Sequence, residues 1–266
     1  MKLPFDPKSN AAHRITRRRF MRLALYGIPT GIVAEAALVE PNWIKVRKLN
    51  LAKEKPTHRI VHFTDLHHKG DRKFLQSAIN KINAQSPDLV CFTGDIIEDT
   101  KFLPEALELF QQIKSPLYGV PGNHDYWANA DFKVIAEAFA KTGGRWLMDE
   151  SVSAAHDKIN IAGSTCSKSP SLALSATQKN IVLIHYPEWV DKLGKYQFDL
   201  ALAGHSHGGQ VRIPFYGPLV VPWGVGQYDL GLFKTKSGPL YVGAGLGWFY
   251  LNVRFNCRPE ITVIEI

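Results

Sequence analysis

Five short blocks of this chain carry the Asp, His and Asn side chains that divalent metal ions use as ligands. Carboxylate oxygens, amide oxygens and imidazole nitrogens suit Mn²⁺, Fe and Zn²⁺, and no cysteine lies in any block. In two-metal sites the ions lie about 3.5–4 Å apart and hold a hydroxide in line with a phosphorus atom. The blocks are Asp65-Leu66-His67, Gly94-Asp95, Gly122-Asn123-His124-Asp125, His185 and Gly204-His205-Ser206-His207. We therefore expect a pair of divalent ions suited to phosphoester hydrolysis, with Asp95 as the carboxylate that bridges them.

Each block directly follows an apolar stretch with the character of a β-strand. These stretches cover residues 59–64, 88–93, 116–120, 180–184 and 199–203. Open α/β sheets bind ligands where their strands end, so the five blocks are expected to converge at one sheet edge. Taken singly, a block has an ordinary explanation, such as turn chemistry for Gly122-Asn123 or a surface or core position for His185. Their joint occurrence at five successive strand ends favours the metal site.

The order of the blocks, between residues 65 and 207, resembles that of the calcineurin-like metallophosphoesterase superfamily. The resemblance implies a first ion bound by Asp65, His67, Asp95 and His207, and a second bound by Asp95, Asn123, His185 and His205. It also implies that His124 stabilises the phosphate and protonates the leaving oxygen, while Asp125 orients the His124 ring. We expect two divalent ions, with Mn²⁺ preferred and Fe or Zn²⁺ as alternatives. A hydroxide held between them is expected to attack the phosphoryl group of the substrate.

The segments between the blocks predict a layered fold. Asp71 caps an amphipathic helix that ends near Gln85, residues 102–113 repeat its apolar stripe, and Asp131 opens a third helix. Short strands are predicted over residues 145–148, 158–162, 182–185, 200–203, 240–243 and 260–266. Two facing sheets with helices outside them form a sandwich. We therefore predict an α/β fold with the four-layer αββα architecture of a metallophosphoesterase, in which two mixed β-sheets are flanked by helices.

The formal net charge of +8 is unevenly distributed along the chain. Residues 1–53 contain 11 Lys and Arg against 3 Asp and Glu, whereas residues 54–266 contain 21 of each. Binding to duplex phosphates needs a concentrated basic face, so the formal neutrality of residues 54–266 gives no support for a nucleic-acid partner. Residues 41–266 are enough for one α/β domain with a sizeable core.

Part of this basic excess lies in an N-terminal leader. Residues 16–22 read Thr-Arg-Arg-Arg-Phe-Met-Arg, and an uncharged run follows over residues 23–34. This arrangement resembles a twin-arginine export signal, with a small-residue cleavage site at Ala34-Glu35-Ala36. Pro29, Glu35 and two glycines shorten the apolar run below the roughly 20 residues of a membrane span. An uncleaved, membrane-associated leader and a basic surface helix remain as alternatives.

We accordingly divide the chain into a leader, residues 1–40, and a metallophosphoesterase domain, residues 41–266. The leader predicts transfer by the twin-arginine machinery of a bacterium to the periplasm or the outer face of the inner membrane. Association with the cytoplasmic face of the membrane is the alternative location. The sequence indicates no particular oligomeric state.

The remaining cysteines and histidines carry weaker signals. Three cysteines form neither a disulfide framework nor a zinc motif, and Cys91 in its apolar run is expected to be buried. A bridge between Cys166 and Cys257 in an oxidising envelope stays open. We interpret His62, His68 and His156 as ordinary residues, although His68 adjoins His67 and is placed to touch substrate.

The blocks also bear on the substrate. Protein Ser/Thr phosphatases of the superfamily carry Gly-Asp-x-x-Asp-Arg-Gly, whereas residues 94–99 of this chain read Gly-Asp-Ile-Ile-Glu-Asp and lack the arginine. From residue 40 onward the chain more closely resembles bacterial phosphodiesterases of the YaeI and YkuE type, notably in residues 204–214 and 256–260. The related LpxG type hydrolyses the pyrophosphate of UDP-2,3-diacylglucosamine in lipid A synthesis. The resemblance implies a phosphodiester or pyrophosphate substrate, with a lipid-linked one among the candidates.

Two further features concern substrate binding. Residues 246–251 and Pro222-Trp223 are aromatic and apolar; they either form a wall for acyl chains near a membrane or take part in ordinary core and edge packing, and we favour packing. Arg212 and Arg254 are candidate contacts to phosphate or substrate, with plain surface charge as the alternative. Two other functions stay open, namely a nucleotide or nucleic-acid phosphodiesterase and a non-catalytic envelope protein that only binds metal.

Overall fold

Two six-stranded mixed β-sheets form the centre of the protein, seen here in a computed structural model that describes residues 16–165 and 172–266. The strands of the first sheet are β1 (Lys45–Asn50), β2 (Arg59–Phe63), β3 (Leu89–Phe92), β4 (Leu117–Gly119), β5 (Arg145–Trp146) and β14 (Glu260–Glu265). Those of the second are β6 (Ser151–Ala154), β7 (Ile159–Gly163), β8 (Lys179–Leu183), β9 (Leu200–Ala203), β12 (Gly231–Lys234) and β13 (Pro239–Val242). A two-stranded hairpin joins β10 (Arg212–Ile213) to β11 (Gly217–Pro218).

Parallel pairing brings the strand ends that matter to one edge of each sheet. The first sheet has the order β1-β14-β2-β3-β4-β5, and β2, β3, β4 and β5 run parallel. The second has the order β12-β13-β9-β8-β7-β6, and β7, β8, β9 and β13 run parallel. Because parallel strands end at the same edge, the loops that follow them share one side of the molecule.

The core lies in layers between and outside the two sheets. Ile60, Leu89 and Cys91 of the first sheet pack against Ile161 and Leu202 of the second. Complete burial of an aliphatic side chain of this size stabilises the fold by roughly 1.5–3 kcal/mol. The inner layer therefore holds the two sheets together and keeps their edges in register.

Helices cover the outer face of the first sheet. They are Arg72–Asn83, Leu103–Phe110 and Phe132–Lys141, and they bury stripes that include Leu75, Phe110 and Phe139. Asp71 and Asp131 cap the first and third of these helices, accepting hydrogen bonds from backbone N–H groups one turn on. In the described residues, a 3₁₀ segment, Pro187–Leu193, covers the outer face of the second sheet with Trp189 and Leu193.

The N-terminal helix, Arg17–Asn42, is a helical run of 26 residues. Pro29 does not end it; this proline lies in the first turn of the α-helical part Ile28–Ala34, which π-helical turns at Leu23–Gly27 and Glu35–Val39 flank. By length and composition the helix is sufficient to cross a membrane, a test that N-terminal signal sequences also pass. The helix thus extends beyond the uncharged run at both ends, and the boundary predicted after residue 40 falls inside the helix.

The predicted architecture is confirmed, and the predicted helices and strands lie within a few residues of the observed ones. Five strands were not predicted from the sequence: the two short strands of the hairpin, β10 and β11, and β1, β6 and β12, which lie at edges of the two large sheets. An edge strand has one exposed side and needs fewer apolar residues, so its sequence signal is weak. Cys91 is buried as expected, and Cys257 is also buried, whereas Cys166 lies outside the described residues.

Candidate active site

The predicted metal ligands meet where strands of both sheets end. Asp65 and His67 follow β2, Asp95 follows β3, Asn123 follows β4, His185 follows β8, and His205 and His207 follow β9. We call these seven residues the strand-end cluster. All of them are buried, and all contribute side-chain oxygen or nitrogen atoms to one region of the protein. The structure thus brings together every ligand that the sequence predicted.

Tight turns position the cluster. Five of its residues have φ angles between +43° and +66°, a region that non-glycine residues seldom adopt. They are Asp65, His67, Asp95, His205 and His207. Neighbouring glycines leave room for these turns, because a Cβ atom on Gly122 would lie 2.0 Å from the Asp95 Oδ1 atom. Such backbone strain costs of the order of 1–3 kcal/mol per residue and is typical of functional sites.

Asp95 lies at the centre of the cluster. Its Oδ2 atom is 3.5 Å from the Nε2 atom of His67 and 3.3 Å from the Nε2 atom of His185. Asp65, His67 and His207 form a potential metal-binding group on one side, and Asp95, His185 and His205 form another on the other side. One carboxylate therefore stands between two groups of ligands, as expected for the bridging residue.

Hydrogen bonds at the back of three rings determine which imidazole nitrogen faces inward. The Nδ1 atom of His185 lies 2.7 Å from the carbonyl oxygen of Thr93, and the Nε2 atom of His205 lies 2.7 Å from that of Trp223. The Nδ1 atom of His67 lies 2.5 Å from the Glu98 carboxylate. Carbonyl and carboxylate oxygens only accept hydrogen bonds, so these outer nitrogens carry the protons. In the neutral form of each of the three rings, the inner nitrogen therefore carries the lone pair that can bind a metal ion.

The inward-facing nitrogen and oxygen atoms of the cluster lie within hydrogen-bond distance of one another. When the rings are neutral, these atoms have too few protons to link them all by hydrogen bonds. The inner nitrogens of His185 and His205 are 3.1 Å apart, and the Oδ1 atom of Asn123 is 2.9 Å from the Nε2 atom of His185. In the first group, the Nε2 atoms of His67 and His207 are 2.9 Å apart. Several electron-pair donors this close to one another need a shared cation, and the residues present therefore fit a pair of divalent ions.

The pKa values of the cluster follow from the same crowding. Burial disfavours a charged imidazole, but the charge of Asp95 outweighs burial and raises the pKa of His185 to about 9. Burial and the neighbouring His185 together lower the pKa of His205 to about 3. A divalent ion that binds His185 takes the place of its proton, since metal binding and protonation compete for the same lone pair.

His124 lies beside the cluster and is held by a residue that the sequence analysis did not propose. The carboxylate of Glu98 is 3.0 Å from the Nδ1 atom of His124, and its other oxygen contacts His67. Burial opposes ionisation of Glu98, but hydrogen bonds from the two rings outweigh it and lower the Glu98 pKa to about 2. At His124, the hydrogen bond that its ring donates to Glu98 and the nearby charges of Asp95 and Glu98 outweigh burial and raise the His124 pKa. The sequence signal was a glutamate three residues after Asp95, on the same strand-end loop.

The role predicted for Asp125 is wrong. Its carboxylate accepts hydrogen bonds from the backbone N–H groups of Asp95, Ile96 and Gly122, at 2.8–2.9 Å. Asn123–Trp127 is a short helix, and Asp125 in its first turn points back to the loop that carries Asp95. Asp125 therefore shapes the backbone around the Asp95 carboxylate, and Glu98 is the partner that orients the His124 ring.

The two candidate substrate arginines are engaged elsewhere. Arg254 is buried, and its guanidinium donates to the carbonyl oxygens of Ala244, Gly247 and Cys257, among others. A substrate contact for Arg254 is therefore wrong, because its donors are already used to organise the backbone. Arg212 pairs with Asp229 at 2.8 Å, and its predicted contact with substrate stays a prediction.

The other histidines are as ordinary as expected. His62 is buried on β2, and its Nε2 atom lies 2.9 Å from the hydroxyl of Thr93. His68 is also buried and lies 2.7 Å from the carboxylate of Glu105, which turns it away from the cluster. His156 is exposed in the turn between β6 and β7.

A cavity of about 680 Å³ opens above the cluster. Asp95, Asn123, His124, His205 and His207 line its polar part, and Trp127, Tyr186, Trp223, Phe249, Tyr250 and Leu251 line its apolar part. Trp223, Tyr250 and Leu251 are at least 70 % exposed, so the expectation that these residues pack in the core is wrong. Leu246 is buried and fits that expectation. The site joins a polar floor to an apolar wall.

Comparison with known proteins matches this arrangement. The sequence profile of the family described as calcineurin-like phosphoesterase matches residues 58–209. The chain is 31 % identical to the uncharacterised metallophosphoesterase YkuE of Bacillus subtilis (strain 168), over 95 % of this chain and 98 % of that protein. It is 28 % identical to the phosphodiesterase YaeI of Escherichia coli (strain K12), over 95 % and 99 % of the two chains.

A third relative and one solved structure are also similar to this chain. The UDP-2,3-diacylglucosamine pyrophosphatase LpxG of Chlamydia trachomatis is 28 % identical over 85 % of this chain and 90 % of that protein. A dimetal phosphatase from Danio rerio superposes with a TM-score of 0.50 over 72 % of this chain and 88 % of that one. At 11 % identity this structural similarity supports the fold alone.

Proposed function

This chain belongs to the calcineurin-like phosphoesterase family and is a phosphoester hydrolase, and from that premise we propose that it cleaves phosphodiester or pyrophosphate bonds with two divalent metal ions. The single observation that carries the proposal is the position of the Asp95 carboxylate between two groups of inward-facing ligands. Among relatives of near full-length coverage, one is named a phosphodiesterase, which favours diesters.

The strand-end cluster divides into two sets of four ligands that share Asp95. Asp65, His67, Asp95 and His207 would hold one ion, and Asp95, Asn123, His185 and His205 would hold the other. This mixture of carboxylate, amide and imidazole ligands suits Mn²⁺, which we propose as the native metal, and also Fe or Zn²⁺. Two such ions polarise a phosphoryl group and lower the pKa of water.

The residues of the chain supply the remaining chemistry. His124 lines the cavity beside Asp95, and Glu98 holds its Nδ1 atom, which leaves the Nε2 atom available to protonate a leaving oxygen. The pKa of His124 is raised, so the ring holds a proton more readily at neutral pH. The apolar wall limits the access of water to the reacting groups.

The variants Asp95→Asn and His205→Ala test the reaction. Each is expected to lower kcat/KM on bis-p-nitrophenyl phosphate more than about a hundredfold, because each removes a ligand or the shared carboxylate. Circular dichroism checks the fold, and elemental analysis measures the bound metal. The control is Asp99→Asn, since Asp99 is an exposed residue on the same loop that pairs with Lys101. Near-normal activity in either folded cluster variant would refute the assignment.

For the physiological substrate we propose a lipid-linked pyrophosphate or phosphodiester such as UDP-2,3-diacylglucosamine. Support comes from the named activity of LpxG and from the apolar wall beside the cluster, which suits acyl chains. The test is incubation of the purified protein with this lipid in detergent, with release of UMP as the expected result. Release of mononucleotides from nucleotide diesters, and none from the lipid, would favour the nucleotide phosphodiesterase instead.

Export by the twin-arginine route completes the proposal. The support is the Thr16–Arg22 segment ahead of an apolar helix. Replacing Arg17 and Arg18 by lysine is expected to retain the protein in the cytoplasmic fraction of its host, because that machinery requires the arginine pair. An unchanged distribution between cell fractions would show that the leader serves only as an anchor.

A further inference from the structure

An apolar rim surrounds the mouth of the active-site cavity. It consists of residues 213–223 and 249–251, and neither segment contains Asp, Glu, Lys, Arg or His. Six of its side chains are at least 70 % exposed, namely Phe215, Tyr216, Val220, Trp223, Tyr250 and Leu251. A contiguous apolar surface of this kind is typical of an interaction site. Four rim residues also line the cavity, namely Val220, Trp223, Tyr250 and Leu251. A partner that binds the rim therefore lies next to the opening through which substrate enters.

The most exposed part of the rim is the tip of a hairpin. Arg212 pairs with Pro218 and Ile213 with Gly217, so Pro214, Phe215 and Tyr216 form the turn between β10 and β11. Phe215 is completely exposed and has a φ angle of +68°, which is unusual for a bulky residue. The hairpin thus presents two aromatic rings to the surroundings at the expense of backbone strain and of unfavourable contact with water.

The rim and the N-terminal helix are anchored to the same backbone segment. The N–H of Arg254 donates to the carbonyl of Ala36, and those of Asn256 and Cys257 donate to the carboxylate of Glu40. On the other side of this segment, the N–H of Arg212 donates to the carbonyl of Phe255. The helix therefore leaves the domain next to the hairpin.

We propose that the apolar rim docks on the surface of a lipid bilayer, beside the N-terminal helix. The bilayer is the occupant that covers both features, because the helix has the length and composition of a membrane span and most of its apolar side chains are exposed. Tryptophan and tyrosine favour the membrane interface, where the ring is in an apolar layer and its polar atom meets water. The mouth of the cavity then faces the lipid, and an acylated substrate enters without crossing water.

A fluorescence experiment tests the contact directly on the full chain. In a Cys166→Ser background, Phe215→Cys and, as a matched control, Val134→Cys are labelled with an environment-sensitive dye; Cys91 and Cys257 are buried. Val134 is an exposed apolar residue on the helix Phe132–Lys141, outside the rim. The labelled proteins are reconstituted into vesicles of phosphatidylethanolamine and phosphatidylglycerol with brominated acyl chains.

We expect the brominated lipid to quench the label at residue 215 at least about twofold more strongly than the label at residue 134. Equal quenching of the two labels in protein retained by the vesicles would overturn the proposal, since the helix alone would then hold the protein at the membrane. A change at residue 215 that depends on protein concentration and needs no vesicles would also overturn it, because the rim would then contact a second copy of the chain.

A kinetic experiment tests whether docking of the rim lets a substrate enter the cavity from the bilayer. This part of the proposal rests on the proposed function. The double variant Phe215→Ser/Tyr216→Ser changes residues that lie outside the cavity lining. It is expected to keep its rate on soluble bis-p-nitrophenyl phosphate and to lose at least about fivefold on UDP-2,3-diacylglucosamine carried in vesicles, whereas Val134→Ser keeps both rates. Equal loss on both substrates would contradict the docking role. If the unmodified protein hydrolyses neither substrate, the proposed function fails, and quenching alone decides the docking.

Discussion

The strand-end cluster and the apolar rim border the same cavity but place opposite kinds of side chain in opposite environments. Asp65, Asp95 and His185 are polar and almost completely buried, whereas Phe215 and Tyr250 are aromatic and largely exposed. Each arrangement is unfavourable for an isolated domain, because burial of charge and exposure of apolar surface both cost free energy. A binding partner would offset both costs in free energy. We propose that this partner is a pair of cations for the cluster and a lipid surface for the rim.

The two regions also differ in how they are held. Hydrogen bonds from the far side fix the rings of the cluster, as Thr93 does for His185 and Glu98 does for His67 and His124. The rim has a two-stranded hairpin and a few backbone bonds. They meet at Trp223, whose carbonyl accepts the hydrogen bond from His205 while its side chain lines the cavity. Mutations are therefore expected to act strongly in the cluster and weakly in the rim.

The largest effect is expected from His207→Ala. This change removes a ligand of one proposed ion and leaves Asp95, His185 and His205 in place, so metal content is expected to fall from two ions to about one. Activity on bis-p-nitrophenyl phosphate is expected to fall more than about a hundredfold. This loss exceeds the roughly 10- to 100-fold loss that is typical when a residue hydrogen-bonded to a metal ligand is replaced. Elemental analysis and steady-state kinetics measure both quantities. His156→Ala, at an exposed histidine outside the cluster, is the control, and unchanged metal content in His207→Ala would contradict the two-ion assignment.

The next effect concerns stability. Arg254→Met leaves at least three backbone carbonyls without their buried donor, so we expect the free energy of unfolding to decrease by roughly 3 kcal/mol. The control is Arg212→Met, which removes a partly exposed ion pair and is expected to cost less than about 1 kcal/mol. Urea denaturation measures both values. Equal losses of stability would mean that the hydrogen bonds of the buried Arg254 guanidinium contribute no more to folding than the partly exposed ion pair of Arg212.

A smaller effect on catalysis is expected from Glu98→Gln. Loss of the carboxylate leaves the rings of His124 and His67 less well oriented, and we expect kcat to decrease about 10- to 100-fold with KM nearly unchanged. Steady-state kinetics over a range of substrate concentrations separates kcat from KM. A rise in KM with constant kcat would mean that Glu98 contacts substrate and does not position His124.

The smallest effect on stability is expected at the rim. Phe215→Ser/Tyr216→Ser removes exposed side chains from a hairpin tip, so the free energy of unfolding in detergent is expected to change by less than about 0.5 kcal/mol. Thermal unfolding followed by circular dichroism provides the measurement. A loss of several kcal/mol would show that the hairpin packs against the domain, and the contrast between the cluster and the rim would no longer hold.

The sequence was sufficient to select the seven side chains that lie together in the strand-end cluster. Ligand chemistry is a property of side-chain types, and the alternation of apolar stretches with His and Asp blocks determined that seven ligands follow five strand ends. The family resemblance added the division into two sets around Asp95. The two sheets and their helices followed from apolar periodicity, except at the edge strands β1, β6 and β12, whose pattern is diluted by exposed residues.

Tertiary structure alone decided the contacts between those elements. Asp125 and Glu98 are both acidic and both close to a predicted ligand in sequence, but packing directs Asp125 to backbone N–H groups and Glu98 to the two rings. Likewise, Arg254 and Trp223 have ordinary sequence surroundings, and the fold buries the arginine while it exposes the tryptophan. The physical reason is that local sequence sets the type of donor, acceptor or apolar surface, whereas distance and direction between residues far apart in the chain are set by how the two sheets pack.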